Sequence, residues 1–552
     1  MSADGKVGVI VGEATTDTFY FASEVENYPA KWEYLMVNAK EVVDGVERPV
    51  QVLAQVENIV SASQVLSREV DFEAIERILH AQVEDLRVWG RARILGYIHS
   101  DEQTKQRRIL LPRRAVVPGR PVYVAPEPLL RDFYSAGEGD GLYVGRLINR
   151  TDVPVYISAS GFKRHLAIIA QTGAGKSYCA GVLIEELLKN GATLLIIDPH
   201  ADYVFLSRIK TPRGSSRHPL ADHMTVFRNP SSTGRYSEKD ILNIQPFEVA
   251  FQDLDPYEIC DITAISERHT RLQEAVRIAV GNLKRTNRRY TPQELLDELN
   301  KISVSEAEDI DSDVRRAAVS ASRRIRRLLE LKIFGSATTP LSLMLKPMHL
   351  SIIDLSGLND RSMDYVTYRI LNDLYALKTG RTDYLDLKDF RYPIYIFIEE
   401  SHKFIPREGS TLTAEVINRI AAEGRKFGLF LTLITQRPSK LHPDTLSQCN
   451  SQIIMKLTNP EDQNAVRMGS ERLSHNLVGD LPGLNVGEAV IVGEVTSAPV
   501  MVKVRPRETL EGGSDIPVAE LLKEARMRYG LESPSSPEGG LSDEEARRLL
   551  GE

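Results

Sequence analysis

Residues 165–188 read HLAIIAQTGAGKSYCAGVLIEELL. A short apolar strand runs into a glycine-rich turn, then Lys176 and Ser177, then a helical run. Ala180, Leu183, Ile184, Leu187 and Leu188 stand at i, i+3, i+4, i+7 and i+8, the spacing of a helix face packed on a core. Such a strand–turn–helix unit fits a sheet whose strands alternate with covering helices. The turn matches the phosphate-loop pattern G-x-x-x-x-G-K-[ST] over Ala170, Gln171, Thr172, Gly173, Ala174, Gly175, Lys176 and Ser177, with Ala170 replacing the first glycine. Gly173 and Gly175 free backbone N–H groups to turn inward around an anion. Lys176 supplies a point charge for the terminal phosphates of ATP, and Ser177 a ligand for Mg2+. The helix N-terminus points its dipole at the same place. Gln171 to Tyr178 are therefore the expected nucleotide-binding run.

The surroundings agree with that frame. From about residue 150, solid apolar runs (HLAII, TLLIID, HLSIIDL, YPIYIFIEE, LFLTLIT, SQIIMKL, then EAVIVG and PVMVKV) alternate with helical stretches. Strands buried on both faces of a parallel sheet look like this. Before them, short alternating runs such as KVGVIVGEA and PVQVLAQVENI, split by Gly, Pro and Asp, predict a small β-barrel or sandwich. GDGLYVGRLINRTDVPVYIS bridges the two. Between LLIIDPH and LSIIDL, residues 250–335 read as helical, and Thr291-Pro292 with Glu294 is a helix start. The tail, LESPSSPEGGLSDEEARRLLGE, reads as a linker and a short helix led by Ser542. The expected domains are a barrel over 1–140, an ATPase core over 141–510 that carries the insertion, and an extension over 511–552.

A net charge of −7 argues against a basic coat, although a local basic patch can still hold nucleic acid. No apolar run approaches a bilayer's thickness, and the first residues lack a signal-peptide pattern. Cys179, Cys260 and Cys449 lie far apart without paired spacing, so neither a disulfide framework nor a zinc site is expected. These features point to a cytoplasmic protein without membrane contact.

Hydrolysis needs a carboxylate near Mg2+ and another to act on water. IYIFIEESHKF ends an apolar strand at Glu399 and Glu400, at the sheet edge where open α/β folds bind ligands. Adjacent strand residues face opposite ways, so the two acids are expected to differ: Glu399 on the metal, Glu400 as the base. Thr435 and Gln436 end the next strand, where Gln436 can sense the γ-phosphate. Asp198 ends LLIID at the same edge, as a nucleotide-side residue or as a cap. His200 reads as a loop residue and His402 as a coupling residue. Arg425 and Lys426 sit at a helix end, where they either complement its dipole or supply an arginine finger to a neighbouring subunit.

RHLAIIAQTGAGKS, LLIIDPHADY, FIEESHKF, AAEGRKFGL, TQRPSKLHPDTLSQCNSQIIMKL and LPGLNVGEAVIVG together resemble the HerA family of the HerA/FtsK superfamily, over about residues 141–507. The resemblance implies an α/β, RecA-like phosphate-loop ATPase core with a helical insertion, preceded by a small N-terminal β-barrel. It implies a homo-hexameric ring that uses ATP to pump double-stranded DNA and works with a NurA-type nuclease in end resection. Lys176 and Ser177 would hold phosphate and Mg2+, Glu399 and Glu400 the second acidic motif, Gln436 the nucleotide sensor and Arg425 the finger acting in trans. Arg164 resembles another family arginine near the nucleotide. Ala170 and Glu399 depart from the wider superfamily, which has glycine and often aspartate at those places.

A motor indifferent to sequence should grip phosphates with Lys and Arg. Lys403 and Arg407 beyond the acidic pair are the candidates, with ordinary solvated charge as the alternative, while NLKRTNRRY and RRIRRLL read as solvated helix faces or as packing within the insertion. Two other readings compete: a ring ATPase that moves protein, and an ATP-gated scaffold.

Overall fold

A computed structural model of the chain describes residues 5–528, apart from 44, 68, 82–84, 101–106, 136–138, 213, 235, 238, 287–288, 306–309, 382–386, 388–389, 471–472 and 513–517. The expected tail helix at Ser542 lies outside the described residues. The chain forms one compact unit over 1–511 and a second over 512–552, in which the helix Val518–Arg528 is described.

The first strands are β1 (Lys6–Ala14), β2 (Thr18–Ser23), β3 (Tyr34–Val43), β4 (Val46–Ala62), β5 (Arg87–Ser100), β6 (Arg107–Leu110) and β7 (Pro121–Val124). They run in the order β2–β1–β7–β3–β4–β5, and β2 pairs back onto β5. Six antiparallel strands thus close into a barrel, and β6 extends β5 outside it. Closure removes the open edges that a sandwich would keep. Phe19, Phe21, Leu35, Val37, Val52 and Ala92 fill the interior. Trp32 Nε1 donates to Asp480 at 3.1 Å and Lys31 pairs with the same carboxylate, which ties the barrel to the region that follows.

Twelve strands make the second sheet. They are drawn from β8 (Gly141–Leu147), β9 (Pro154–Ser158), β10 (Leu166–Ile169), β11 (Thr193–Asp198), β14 (Met224–Arg228), β15 (Ile244–Pro246), β18 (Leu350–Asp354), β19 (Ile394–Ile398), β20 (Leu429–Thr435), β21 (Ser451–Met455), β22 (Glu488–Val492) and β23 (Val500–Val504). Strands β12 (Arg208–Thr211) with β13 (Gly214–Arg217), and β16 (Val249–Ala250) with β17 (Phe334–Gly335), form separate pairs. The order is β15–β14–β18–β11–β19–β20–β10–β21–β22–β23–β8–β9. It is parallel through β21 and antiparallel beyond. The bridging segment GDGLYVGRLINRTDVPVYIS is therefore part of this sheet, as β8 and β9 on its antiparallel side. Every residue of β10, β11, β19 and β20 is buried, as the solid apolar runs require.

The insertion carries helices Pro256–Ile262, Thr270–Arg285, Pro292–Val304 and Ser312–Ile325. Thr291 and Glu294 cap the third reciprocally. The helix Lys176–Lys189 is buried on nearly every side, not on one face. The reason is the irregular segment after β23: Glu185 accepts from the backbone of Glu508 and Thr509, and Arg505 bonds Glu186.

Candidate functional site

The carboxyl ends of β10, β11, β19 and β20 meet at one edge, since Ile169 stands opposite Thr435 and Ile197 opposite Ile398. The phosphate loop leaves β10 there. Gly173 (φ 78°) and Gly175 (φ 101°) occupy the left-handed region that glycine enters without steric cost. Ala170 does not, so alanine in place of the first glycine carries no left-handed backbone strain.

Lys176 Nζ lies between the two acids. It donates to Glu399 Oε1 and, at 2.9 Å, to Glu400 Oε1. Both carboxylates thus converge on one cation, although alternation along a strand would part them. The strand stops at Ile398, and Glu400 takes a left-handed backbone (φ 49°, ψ 44°) that a non-glycine residue holds only where its surroundings enforce it. Glu399 is wholly buried, and Tyr203 donates its hydroxyl to Glu399 Oε2 at 2.5 Å. Burial raises the Glu399 carboxyl. At Glu400 burial pushes the same way, but His402 and Lys176 outweigh it and hold the group down at about 2. Burial likewise works against the charge on Lys176, and the two carboxylates more than offset it, raising the ammonium. Glu400 Oε2 is buried and accepts no hydrogen bond among the described residues. His402 Nδ1 stands 3.3 Å from it and 3.2 Å from Thr435 Oγ1.

Thr172 donates to Gln436 Oε1, which joins the tip of β20 to the phosphate loop. Ser177 Oγ donates to Asp202 Oδ2 at 2.9 Å. Asp198 is fully buried and accepts from the backbone N–H groups of His200, Asp202 and Tyr203. It caps the turn that carries Asp202 and Tyr203 into the site. Those two residues were not singled out in the sequence, because their roles depend on this turn. Ser177, Asp202 and Glu399 gather oxygen donors suited to Mg2+. Beside Gly175 and Tyr178 lies a cleft of about 500 Å³ lined by Tyr143, Arg146, Gly487 and Lys503, which the sequence did not single out either.

Arg164 and Arg425 stand apart from this cluster. Arg164 precedes β10, and Arg425 precedes β20. Both are exposed, at the amino edge of the sheet. Their elements are locked together through His165, whose Nε2 meets Ala421 O at 3.0 Å and whose Nδ1 accepts from Leu431 N. Burial, with Arg425 nearby, lowers the His165 imidazole to about 4. At about 3.3 Å per residue, seven-residue β20 separates Arg425 from its own phosphate loop by roughly 20 Å.

The description "Helicase HerA, central domain" fits residues 142–374. A probable DNA double-strand break repair helicase HerA of Methanocaldococcus jannaschii is 31% identical over 491 residues, covering 83% of this chain and 94% of that one. The DNA double-strand break repair helicase HerA of Pyrococcus furiosus is 29% identical over 554 residues, covering 92% and 93%. Among solved structures, VirB4 of Thermoanaerobacter pseudethanolicus aligns at a TM-score of 0.47 and 14% identity, covering 67% of this chain and 98% of that one. A phosphate loop set against paired glutamates, in a sequence matched along nearly its whole length, makes this chain a phosphate-loop ATPase of the HerA helicase family.

Proposed function

We propose that this chain is an ATP-driven translocase of double-stranded DNA that works as a homo-hexameric ring and feeds broken ends to a NurA-type nuclease. The Pyrococcus furiosus relative is a DNA double-strand break repair helicase and the Methanocaldococcus jannaschii one a probable such helicase, which supports DNA as the substrate. The observation that carries the ring is the distance between the site's parts. The phosphate loop and the acids lie at one sheet edge, and Arg425 and Arg164 at the other. A neighbouring copy that presents its amino edge would supply the missing cations.

Within one site, Lys176 would turn from the carboxylates to the phosphates of ATP, and Ser177, Asp202 and Glu399 would hold Mg2+. Bound Mg2+ neutralises charge developing on the phosphates. Glu400, whose Oε2 faces only His402 Nδ1, would take the proton of the attacking water. Gln436 and the His402–Thr435 contact would pass the state of the site to the tip of β20. The cleft beside Tyr178 would receive base and ribose.

Turnover of ATP by the purified protein, with and without linear duplex DNA, tests this reading. It should rise on adding DNA. Turnover indifferent to DNA would favour a protein-moving ring, and negligible turnover a scaffold.

Arg425→Ala should leave ATP binding intact and slow turnover about 10³-fold or more, the worth of an arginine finger. Mixing Arg425→Ala with Lys176→Ala subunits should restore turnover, because one interface then joins an intact loop to an intact arginine. Mixtures as inactive as their components would place Arg425 outside the neighbour's site.

A further inference from the structure

We propose that the junction between the insertion's last helix (Ser312–Ile325) and the 3-10 turn that follows it (Arg326–Glu330), at Arg323, Arg326 and Arg327, is a second grip on the DNA phosphate backbone, separate from Lys403 and Arg407. The inference rests on DNA being the substrate. From sequence this stretch reads as a solvated helix face or as packing within the insertion, but the charge pattern of its exposed side is not that of an ordinary solvated face. The neighbouring insertion helices pair their cations locally, Arg277 with Glu274 and Lys301 with Glu298, as exposed helix faces commonly do. From 314 to 329 there is no acidic residue at all, in a chain whose net charge is −7. Arg316 is paired with Asp313. Arg315 and Arg324 are used inside the fold, donating to Ser305 O and Ala264 O at 2.8 and 2.6 Å.

Arg323, Arg326 and Arg327 are exposed and form no ion pair among the described residues. Opposite them, Val314, Ala318, Ala321, Ile325 and Leu328 are buried, so the helix cannot roll to hide its charge. Cations spaced three and four residues apart on a packed helical stretch, with no acid among them, repel, and a polyanion relieves that repulsion.

Position supports the same reading. Just past these arginines, Glu330 O accepts from Asn359 Nδ2 at 3.2 Å, and Lys332 O from Ser231 Oγ at 3.3 Å. Ser231 and Asn359 follow the carboxyl ends of β14 and β18. The basic stretch therefore runs toward the sheet edge that also carries the phosphate loop and, beyond β19, Lys403 and Arg407. Duplex DNA carries one charge per 1.7 Å of axis, so several cations along one edge can engage it together. The three side chains would hold phosphates and read no base.

The test is the triple variant Arg323→Glu, Arg326→Glu, Arg327→Glu, with a control that reverses the same number of charges at Lys523, Arg526 and Arg528. Binding to a fluorescent duplex is measured across NaCl concentrations, together with ATP turnover without DNA. The triple variant should bind more weakly, and its salt dependence should flatten by up to about 2.7 in log–log slope, about 0.9 for each lost contact. Turnover without DNA and thermal unfolding should match wild type, and the control should bind as wild type does. Arg→Gln at the same positions should give a smaller loss of the same kind. A triple variant with wild-type affinity and slope would overturn the proposal, and so would wild-type DNA binding alongside lost association with an acidic protein. Wild-type protein that fails to bind duplex DNA would instead overturn the DNA reading itself, and this grip with it.

Discussion

Lys176→Ala should abolish ATP turnover and also destabilise the protein with no nucleotide present. The second effect follows from the site's wiring. Lys176 Nζ sits between Glu399 and Glu400, whose side chains are 0% and 6% exposed, and is itself 10% exposed. Removing one partner of a buried ion pair costs about 3–5 kcal/mol, because the remaining charge stays buried. The loss should depend on pH. In wild type the Glu400 pKa is depressed, so it contributes stability above the unfolded carboxyl pKa of about 4.5, lost as pH falls toward about 2. Without Lys176 both buried carboxylates shift upward, Glu399 beyond where burial already holds it and Glu400 out of its depression. Their folded pKa rises, and their protonated forms favour the fold at low pH but not at neutral pH. Urea denaturation curves of variant and wild type should therefore lie far apart at pH 7 and converge on acidification. Equal stabilities at pH 7 would mean that Nζ does not neutralise the pair, and retained turnover would remove Lys176 from the chemistry.

What could be read in the sequence was local. The phosphate loop spells out strand, turn, cation and helix within a few residues, and the acidic pair ends a run too apolar to lie anywhere but inside a sheet. The closed barrel was less legible, because closure depends on β2 meeting β5, a pairing of residues about 70 positions apart that no local pattern encodes. The same holds for β8 and β9. Their sequence reads as a bridge, and only pairing with β23 makes them part of the second sheet. Asp198 shows the limit at one residue: strand-end position could not decide between ligand and cap. The backbone N–H groups that it accepts make it a cap, and the residues it positions, Asp202 and Tyr203, do the touching. Glu400 shows the converse. Strand alternation predicts that it turns away from Glu399, and a left-handed backbone at the strand's end brings it back to the same lysine.

That convergence sharpens the last prediction. Two glutamates on one cation look interchangeable, yet their second oxygens differ. Glu399 Oε2 accepts from Tyr203, while Glu400 Oε2 is buried with no hydrogen bond among the described residues. Glu399 is engaged through both oxygens, by Lys176 and Tyr203, whereas Glu400 Oε2 has only His402 Nδ1 at 3.3 Å beside it, which leaves it the more available of the two to accept a proton from water. Glu400→Gln keeps size and shape, and its amide oxygen can still meet Lys176, so ATP should bind about as well as to wild type. The amide cannot take a proton, and loss of a general base slows a reaction by about 10²–10⁴. ATP affinity by fluorescence titration and turnover under single-turnover conditions separate the two quantities. Glu399→Gln should behave differently, because it weakens a metal ligand: more Mg2+ should be needed, and excess Mg2+ should recover part of the rate. If Glu400→Gln turned over ATP at the wild-type rate, the proton would have to leave by another route. His402 Nδ1 lies 3.3 Å from Glu400 Oε2 and 3.2 Å from Thr435 Oγ1, so the search for that route would begin there.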